Sequence, residues 1–470
     1  MSKFNQTKPT NKTTNLAGGK AFKMDARSEL THAVLTTFLE DKFYESGNDR
    51  IDRIKELVAL NKPEFVANLA FVARTEFHLR SVSHLLLGEL AKVHKGDDLV
   101  KRAIVACAIR PDDLIEIFAY LGKPLPKQVK RGIRNALYKF NRYQLAKYKA
   151  EGKKYSMIDL FNVVHPKAQF ANDEQKQAWS DLMNGDLIST DTWESKLSKN
   201  PSAKAFEDLI LENKMGYMAV LRNLNNFDKY GISKEAQDLV IAKLVDPEEI
   251  RKSKQLPFRF YNAYKNVSNN RVFLDAISEA MDLSVSNVPN LGGKTLIAID
   301  TSGSMSGCID KASVFGATLM KANVGADVIL YDTRVGELVK SSRIPVVDLT
   351  ESIIKSAMGG GTQTSLVFEY AQLNGVKYDR IIIISDSESW NEHSVQHSYN
   401  LYKTYAKNDP FVYAIDIEGY GSSDIIGSKV KHLAGWSDRL LDFISAFEKG
   451  DELVEYISNL DLLGGEFKND

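Results

Sequence analysis

The stretch Thr295-Leu-Ile-Ala-Ile-Asp-Thr-Ser-Gly-Ser-Met305 constrains the fold more than any other part of the chain. Leu296 to Ile299 is a short apolar run, as expected of a strand buried on both faces of a parallel sheet. The chain then turns polar at once, with Asp300, Ser302 and Ser304 spaced by two and small residues between them. Such a strand presents a carboxylate and two hydroxyls at its C-terminal tip, where open parallel sheets bind ligands. A second apolar run, Arg380 to Ser385, ends in Asp386, and Gly359-Gly-Gly-Thr362 sets a hydroxyl behind a flexible triple glycine. Hard oxygen donors of this kind suit Mg²⁺, which takes an octahedron of oxygens and keeps several waters. The alternative for the first loop is capping alone, with Asp300 or Ser302 accepting from the next helix's first turn.

Taken in order, the three segments resemble the metal-ion-dependent adhesion site of von Willebrand factor A domains. That resemblance implies a ligand set of Asp300, Ser302, Ser304, Thr362 and Asp386, a divalent cation such as Mg²⁺, and a further position open to water or a partner carboxylate. The surrounding sequence agrees. Strand-like and helix-like runs alternate through Thr295–Ile299, Lys311–Lys321, Asp327–Tyr331, Thr350–Ser356, Thr364–Leu373, Arg380–Ser385, Ser394–Tyr405, Phe411–Asp416 and Asp438–Phe447. Alternation with buried apolar strands predicts a doubly wound, Rossmann-like α/β sheet over 286–470.

Upstream the pattern is different. Apolar residues recur at helical spacing through Glu29–Glu40, Ile51–Leu60, Glu64–Glu76, Val82–His94, Leu99–Ile109, Asp112–Leu121, Leu209–Asn225, Lys234–Leu244 and Arg271–Met281. Pro63 suits the first turn of a helix, and Asp246-Pro-Glu-Glu249 opens another. Short helices with tight polar breaks suggest stacked hairpins of the HEAT type over 25–285, although no fixed repeat period is visible. Ser, Asn, Gly and Pro gather at 282–294 and mark the expected boundary. Residues 1–24 are expected to be a flexible tail, Thr/Asn/Lys-rich at first and without the apolar core of a signal peptide.

The net charge of zero hides an asymmetry. Residues 286–470 carry 16 Lys and Arg against 25 Asp and Glu, and the remainder carries 45 against 36. An excess of cations in the first part points to a polyanion partner. The two cysteines, Cys107 and Cys308, lie far apart and are expected as free thiols in a reducing cytoplasm. No run of about 20 apolar residues occurs, so no membrane helix or membrane partner is expected.

The cations concentrate between Lys123 and Lys154, where Lys127, Lys130, Arg131, Arg134, Lys139, Arg142, Lys147, Lys149 and Lys153 face a single acid, Glu151. Lys127, Lys130, Arg131 and Arg134 share one face of a helix starting at Pro126. A face this dense in one sign repels itself and favours bound nucleic acid. Tyr138, Phe140, Tyr143, Tyr148 and Tyr155 are interleaved and could stack on unpaired bases, but burial in the core is the better reading for them. A solvated face is the plain alternative for the cations. His165, in Val163-Val-His-Pro166, has no Cys or His at zinc-ligand spacing and reads first as structural.

Several segments resemble the TROVE-domain proteins, relatives of the Ro autoantigen: Asn15-Leu-Ala-Gly-Gly-Lys20, Leu39-Glu-Asp-Lys-Phe-Tyr44, Arg134-Asn-Ala-Leu137, Tyr143 to Lys149, Val164-His-Pro166, Met218 to Leu224 and Pro257-Phe-Arg259. The resemblance implies a multidomain chain, an all-α HEAT-like ring followed by the A domain. It implies binding of small Y-type RNA outside and of the single-stranded 3′ ends of misfolded noncoding RNA in the hole. The leading reading is therefore a non-catalytic RNA-binding protein of the cytoplasm, expected as a monomer. The resemblance favours Lys147 and His165 as hole-side contacts. The family's run often continues to an arginine near 151, where this chain has Glu151 and a one-residue insertion, leaving Lys153 or Lys154 to supply that contact. Two other functions stand beside this one. One is a metal-dependent ribonuclease using Asp300, Asp386 and Glu388, although hydroxyls dominate where two-metal chemistry needs carboxylates. The other is a metal-dependent adhesion module that recruits a partner such as a ribonuclease.

Overall fold

Recurring apolar stripes broken by proline and polar turns make the chain from Ala26 to Ser284 almost wholly helical wherever the structure describes it. The structure, a computed structural model, describes residues 12–36, 47–149, 154–188, 197, 201–267, 270–338, 343–390, 394–420, 422–434, 440, 444 and 453–462. The chain divides into two units: residues 26–41, 46–195 and 452–470, and residues 1–25, 42–45 and 196–451. Among the described residues, no helix is long and apolar enough to cross a membrane.

In the first unit, Pro63 and Pro111 each begin a helix, Pro63–Thr75 and Pro111–Leu121, where a missing N–H costs nothing. Helix Pro63–Thr75 packs on Arg80–Val93 and Leu99–Cys107, and the latter on Lys127–Leu137. Helix Leu453–Asn459, from near the other end of the chain, docks on the first of these. The Asn68 amide donates to the Ile457 and Leu460 carbonyls, both at 2.8 Å. Asp113 is the polar centre of this unit. It is fully buried and accepts from Arg74 at 2.9 Å, Arg80 at 2.8 Å and the backbone N–H groups of Ile109 and Arg110 at 3.0 and 2.9 Å. Burial alone would raise its pKa, but His84, Arg74 and the Arg110 N–H together hold it well below the usual carboxylate range.

The second unit holds the later helices, Ala203–Leu211, Tyr217–Tyr230, Lys234–Leu244, Pro247–Ser253, Pro257–Asn266 and Arg271–Ser284, together with the sheet domain. One helix expected across Leu209–Asn225 is two. Asn213 turns left-handed (φ 50°), the Lys214 N–H closes back on the Leu209 carbonyl at 2.9 Å, and Gly216 caps the next helix. The composition shift near residue 286 is where helices give way to strands but not where the compact units part. Helices Pro257–Asn266 and Arg271–Ser284 pack on the sheet domain, with Phe258 stacked on Phe315 at 5.7 Å and Tyr261 donating to Glu351 at 2.8 Å.

Nine strands are described: β1 (Lys12–Thr14), β2 (Lys20–Lys23), β3 (Thr295–Asp300), β4 (Asp327–Tyr331), β5 (Val335–Glu337), β6 (Arg380–Ser385), β7 (Phe411–Asp416), β8 (Ser422–Ser423) and β9 (Val430–Ala434). The main sheet runs β5-β4-β3-β6-β7-β9, parallel except for β5. Helices Ile309–Ala322, Val346–Lys355, Ser365–Leu373 and Val395–Ala406 connect its strands, as a doubly wound α/β domain requires. Helix Ile309–Ala322 sits close on β3 because Gly316 has no Cβ, which would stand 2.2 Å from the Ile299 side chain. The helix read at Asp438–Phe447 lies mostly outside the described residues. The tail expected over 1–24 is corrected for its second half. β1 and β2 form a hairpin, β2 pairs antiparallel with β8, and Ala21 is buried.

Asp113→Ala should destabilise the fold by about 3–5 kcal/mol, because it leaves buried guanidinium without its partner. Asp238→Ala breaks only the exposed pair with Lys234 and should cost about 0.3–0.5 kcal/mol. Urea unfolding followed by circular dichroism checks the contrast; equal midpoints for the two variants would defeat it.

Candidate functional site

Parallel pairing of β3 with β6 aligns Ile299 with Ile384, so Asp300 and Ser385 end adjacent strands and Asp386 follows at once. The structure brings together all five oxygen donors expected from sequence, and each is buried. Asp300 Oδ1 accepts from the Ser302 N–H at 2.9 Å, and its Oδ2 accepts from the Ser385 hydroxyl at 2.6 Å. The Ser302 and Ser304 hydroxyls lie 3.2 Å apart. The Gly303 N–H donates to the Gly360 carbonyl at 2.9 Å, tying the serine loop to the triple-glycine loop. The Thr362 carbonyl accepts from the Ser389 hydroxyl at 3.2 Å and the Trp390 N–H at 3.3 Å, tying that loop to the segment after Asp386.

The electrostatics are strained. Burial, with the charge of Asp332 added, lifts Asp300 to about 6 despite the Ser385 and Ser302 hydroxyls. Burial lifts Asp386 well above the ordinary carboxylate range, and Asp300 and Glu388 repel its charge further. Its Oδ1 accepts from the Glu388 N–H at 3.2 Å. Ser304 softens the shift, yet no aligned donor among the described residues reaches Oδ2. Among the described residues, no three His, Cys, Asp or Glu side chains gather closely enough to hold an ion themselves. Any cation here therefore needs the hydroxyls of Ser302, Ser304 and Thr362. Two carboxylates and three hydroxyls, one carboxylate oxygen unpartnered, are the donors a small hard divalent cation takes.

Sequence reasoning missed the rim of this site. Asp424 is buried below it, pushed far up by burial and by Glu388 and Asp386, and meets Thr364 at 3.4 Å. The turn Asn15–Gly19 crosses beside it. The Ala17 N–H donates to Glu388 Oε2 at 3.0 Å, and the Asn15 amide donates to the Ser389 carbonyl at 2.7 Å. A cavity of about 260 Å³ lies between, lined by Ala17, Ser304, Thr362, Glu388 and Trp390 with two glycines. Burial raises Glu388 to about 7, against the backbone N–H groups of Ala17 and Leu16. The paired glycines at 18 and 19 were the available signal, since a Cβ on Gly19 would stand 1.7 Å from the Ser389 carbonyl oxygen.

The basic stretch belongs to the first unit. Helix Lys127–Leu137 buries Val129, Ile133, Ala136 and Leu137 and turns Lys127, Lys130, Arg131 and Arg134 to the other side. Lys127, Lys130 and Arg131 make no ion pair among the described residues. Of the other expected contacts, Arg134, Lys139, Arg142 and Lys149 are engaged within the protein. Arg134 clamps the Val164 carbonyl at 3.0 and 2.6 Å, directly before His165. Lys139 is a correction: its ammonium donates to the Val105 and Ala108 carbonyls at 2.6 and 2.8 Å, capping helix Leu99–Cys107, and this enclosure lowers its pKa. Arg142 pairs with Asp181 at 2.6 Å, and Lys149 donates to the Leu187 carbonyl at 2.8 Å. Lys147 lies 5.6 Å from the Tyr148 ring centre, and Lys153 falls outside the described residues. His165 is exposed in a left-handed conformation (φ 46°) at the end of helix Met157–Val164. Of the aromatics, Tyr138 stacks on Trp179, Phe140 is buried, Tyr155 packs on Phe118 and Tyr148 lies under Arg110, leaving Tyr143 exposed.

Helices followed by a doubly wound sheet with a carboxylate–hydroxyl cluster at its strand tips define a multidomain α and α/β protein. The family model for the TROVE domain matches residues 31–185 and 183–279, just over half of the chain, and the chain belongs to that family. It is 26% identical over 201 residues to the RNA-binding protein RO60 of Deinococcus radiodurans, covering 37% of this chain and 38% of that protein. It is 23% identical over 303 residues to telomerase protein component 1 of Rattus norvegicus, covering 46% of this chain and 12% of that protein. These alignments span well under two thirds of either relative. In structure it is similar to the crystal structure of the Deinococcus radiodurans RO (RSR) protein, with a TM-score of 0.62, 18% identity, and coverage of 90% of this chain and 100% of that one. That likeness supports the fold.

Gly19→Ala should detach the turn, at a cost of about 1–3 kcal/mol from overpacking. Limited trypsin digestion should then cut at Lys20 and Lys23 faster than in the parent chain. Unchanged cutting would show that the turn is not held by Ser389.

Proposed function

We propose that this chain is a non-catalytic RNA-binding protein of the cytoplasm. In this reading it holds small Y-type RNA and the single-stranded 3′ ends of misfolded noncoding RNA through the basic helical ring that the family resemblance implies. The observation that carries it is the trio Lys127, Lys130 and Arg131, three cations on one helix face that make no ion pair among the described residues. Lys147 and the exposed His165, beside the carbonyl that Arg134 clamps, extend the same reading, and the name of the Deinococcus relative supports it. Lys139 drops out, because two backbone carbonyls already hold its charge.

The sheet domain supplies the second half of the proposal. Asp300, Ser302, Ser304, Thr362 and Asp386 would hold Mg²⁺ or a similar ion as an adhesion site. A bound ion would offer a coordination position to the carboxylate of a protein partner, for example a ribonuclease brought to the RNA. The protein's own part is to bury the donors, to orient the Asp300 carboxylate through Ser385 and to tie the serine loop to the glycine loop through the Gly303–Gly360 contact.

Two outcomes are expected. Lys127→Glu, Lys130→Glu and Arg131→Glu together should weaken single-stranded RNA binding at least about tenfold, and should flatten the log–log salt slope by about 0.7 per lost phosphate contact. Fluorescence anisotropy between about 50 and 200 mM salt measures both; a parent affinity indifferent to salt refutes the electrostatic basis. For the ion, Mg²⁺ or Mn²⁺ should raise the melting temperature of the parent, because a ligand that binds only the folded state stabilises it. Asp386→Asn should abolish that rise while melting no lower than the ion-free parent, since it removes a buried repelled charge. A variant that still responds to the ion rules out this ligand set.

A further inference from the structure

A groove of about 690 Å³ runs between helices Tyr217–Tyr230 and Pro257–Asn266 of the second unit. The two helices face each other across packed Tyr217 and Phe260 rings, 6.1 Å between centroids. Each presents a stripe at i, i+3, i+4 and i+7 spacing: Met218, Leu221, Arg222 and Asn225 from one, Arg259, Asn262, Ala263 and Asn266 from the other. The same Arg-x-x-Asn spacing, Arg222 to Asn225 and Arg259 to Asn262, therefore occurs on both walls. No carboxylate lines the groove among the described residues. Both arginines are exposed, and neither has an ion pair or hydrogen-bond partner among the described residues. The Asn225 and Asn262 amides are likewise exposed and unengaged, whereas Asn226 donates to Asn223 at 2.9 Å and Asn266 to the Asn262 carbonyl at 2.7 Å.

We infer that this groove is a second RNA site, which takes a nucleotide or two of single strand, with phosphates on Arg222 and Arg259 and base edges on Asn225 and Asn262. The inference rests on the RNA-binding reading above but on different residues, in a different unit of the chain. Two unpaired guanidiniums without a neighbouring acid are matched by phosphate, which they grip bidentately. Guanidinium alone would serve an acidic peptide equally well. The paired amides decide between the two, because a carboxylate only accepts, whereas an amide both donates and accepts and matches the edge of an unpaired base. Asparagine in particular pairs with the adenine N6/N7 edge. The volume falls within the roughly 300–1,000 Å³ of small-ligand sites, too little for a duplex.

The test uses the full chain and labelled single-stranded oligo(A) and oligo(U). Arg222→Gln with Arg259→Gln should lower affinity about tenfold and flatten the salt slope by about 1.4, the share of two single-strand phosphates. Arg222→Lys with Arg259→Lys should restore most of the slope. Asn225→Ala with Asn262→Ala should erase any preference for oligo(A) and leave the slope as it was. Independently of any variant, RNA carrying 4-thiouridine should crosslink to peptides from 217–230 or 257–266. Crosslinks confined elsewhere, or a glutamine pair that binds like the parent while the Lys127/Lys130/Arg131 reversal loses RNA, overturn the groove and leave the broader reading standing. An acidic peptide that crosslinks here while RNA does not also overturns it. A parent chain that binds no single-stranded RNA ends both.

Discussion

Parallel pairing of β3 with β6 governs what the sheet domain can present. The ladder ends in register, so two carboxylates arrive together where both strands stop. Burial disfavours their charged forms, and the charge of Asp300 adds to the cost of ionising Asp386, as that of Asp332 does for Asp300. The loops answer with dipoles rather than cations: the Ser302 N–H, the Ser385 hydroxyl and the Glu388 N–H. These satisfy three carboxylate oxygens and leave Asp386 Oδ2 without an aligned donor. A cluster built this way sacrifices stability at the strand tips for a set of converging oxygens, as sites of binding commonly do.

The helical part spends its cations on two different tasks. Lys139, Arg134 and Lys149 serve carbonyls, two of them at or beside helix ends, where the backbone dipole is negative and the last oxygens lack intrahelical partners. Lys127, Lys130 and Arg131 lie in the first half of a helix whose opposite face is buried, and none of them has an ion pair or side-chain hydrogen bond among the described residues. Whether a backbone carbonyl already holds the charge, more than the number of charges, separates the cations that hold the fold from those proposed for a polyanion. The arginines of the groove between Tyr217–Tyr230 and Pro257–Asn266 belong to the second kind.

The N-terminal hairpin joins the sheet domain's working edge through contacts nearly the whole chain length apart. Asn15 and Ala17 bind the segment that follows Asp386, and β2 pairs with β8. Glu388 thereby becomes a hinge of hydrogen bonds between the hairpin and the strand-tip loops, with Ser422 at 3.5 Å on its other oxygen. The same principle of distant closure operates in the first unit, where Asn68 holds the helix at 453–459.

The sequence alone determined the strands β4, β6 and β7 to the residue and β3 to within one, because each is a continuous apolar run with an abrupt polar end. It also offered Asp300, Ser302, Ser304, Thr362 and Asp386 as candidates, through the polar ends of two apolar strands and the resemblance of the three segments to an A-domain adhesion site. β5 and β9 escaped notice: they are short, and parts of both face solvent, so no apolar run marks them. The helix break at Asn213 was hidden because helical spacing of apolar residues continues across it. Only the tertiary structure decided that Lys139 is a helix cap, that Asp424 and the Asn15–Gly19 turn border the strand-tip site, and that Arg222 and Arg259 share a groove. Those facts depend on pairs of groups remote in the chain. Periodicity reports which face of an element is buried, but the partner buried against it is chosen by packing and hydrogen bonding across the fold.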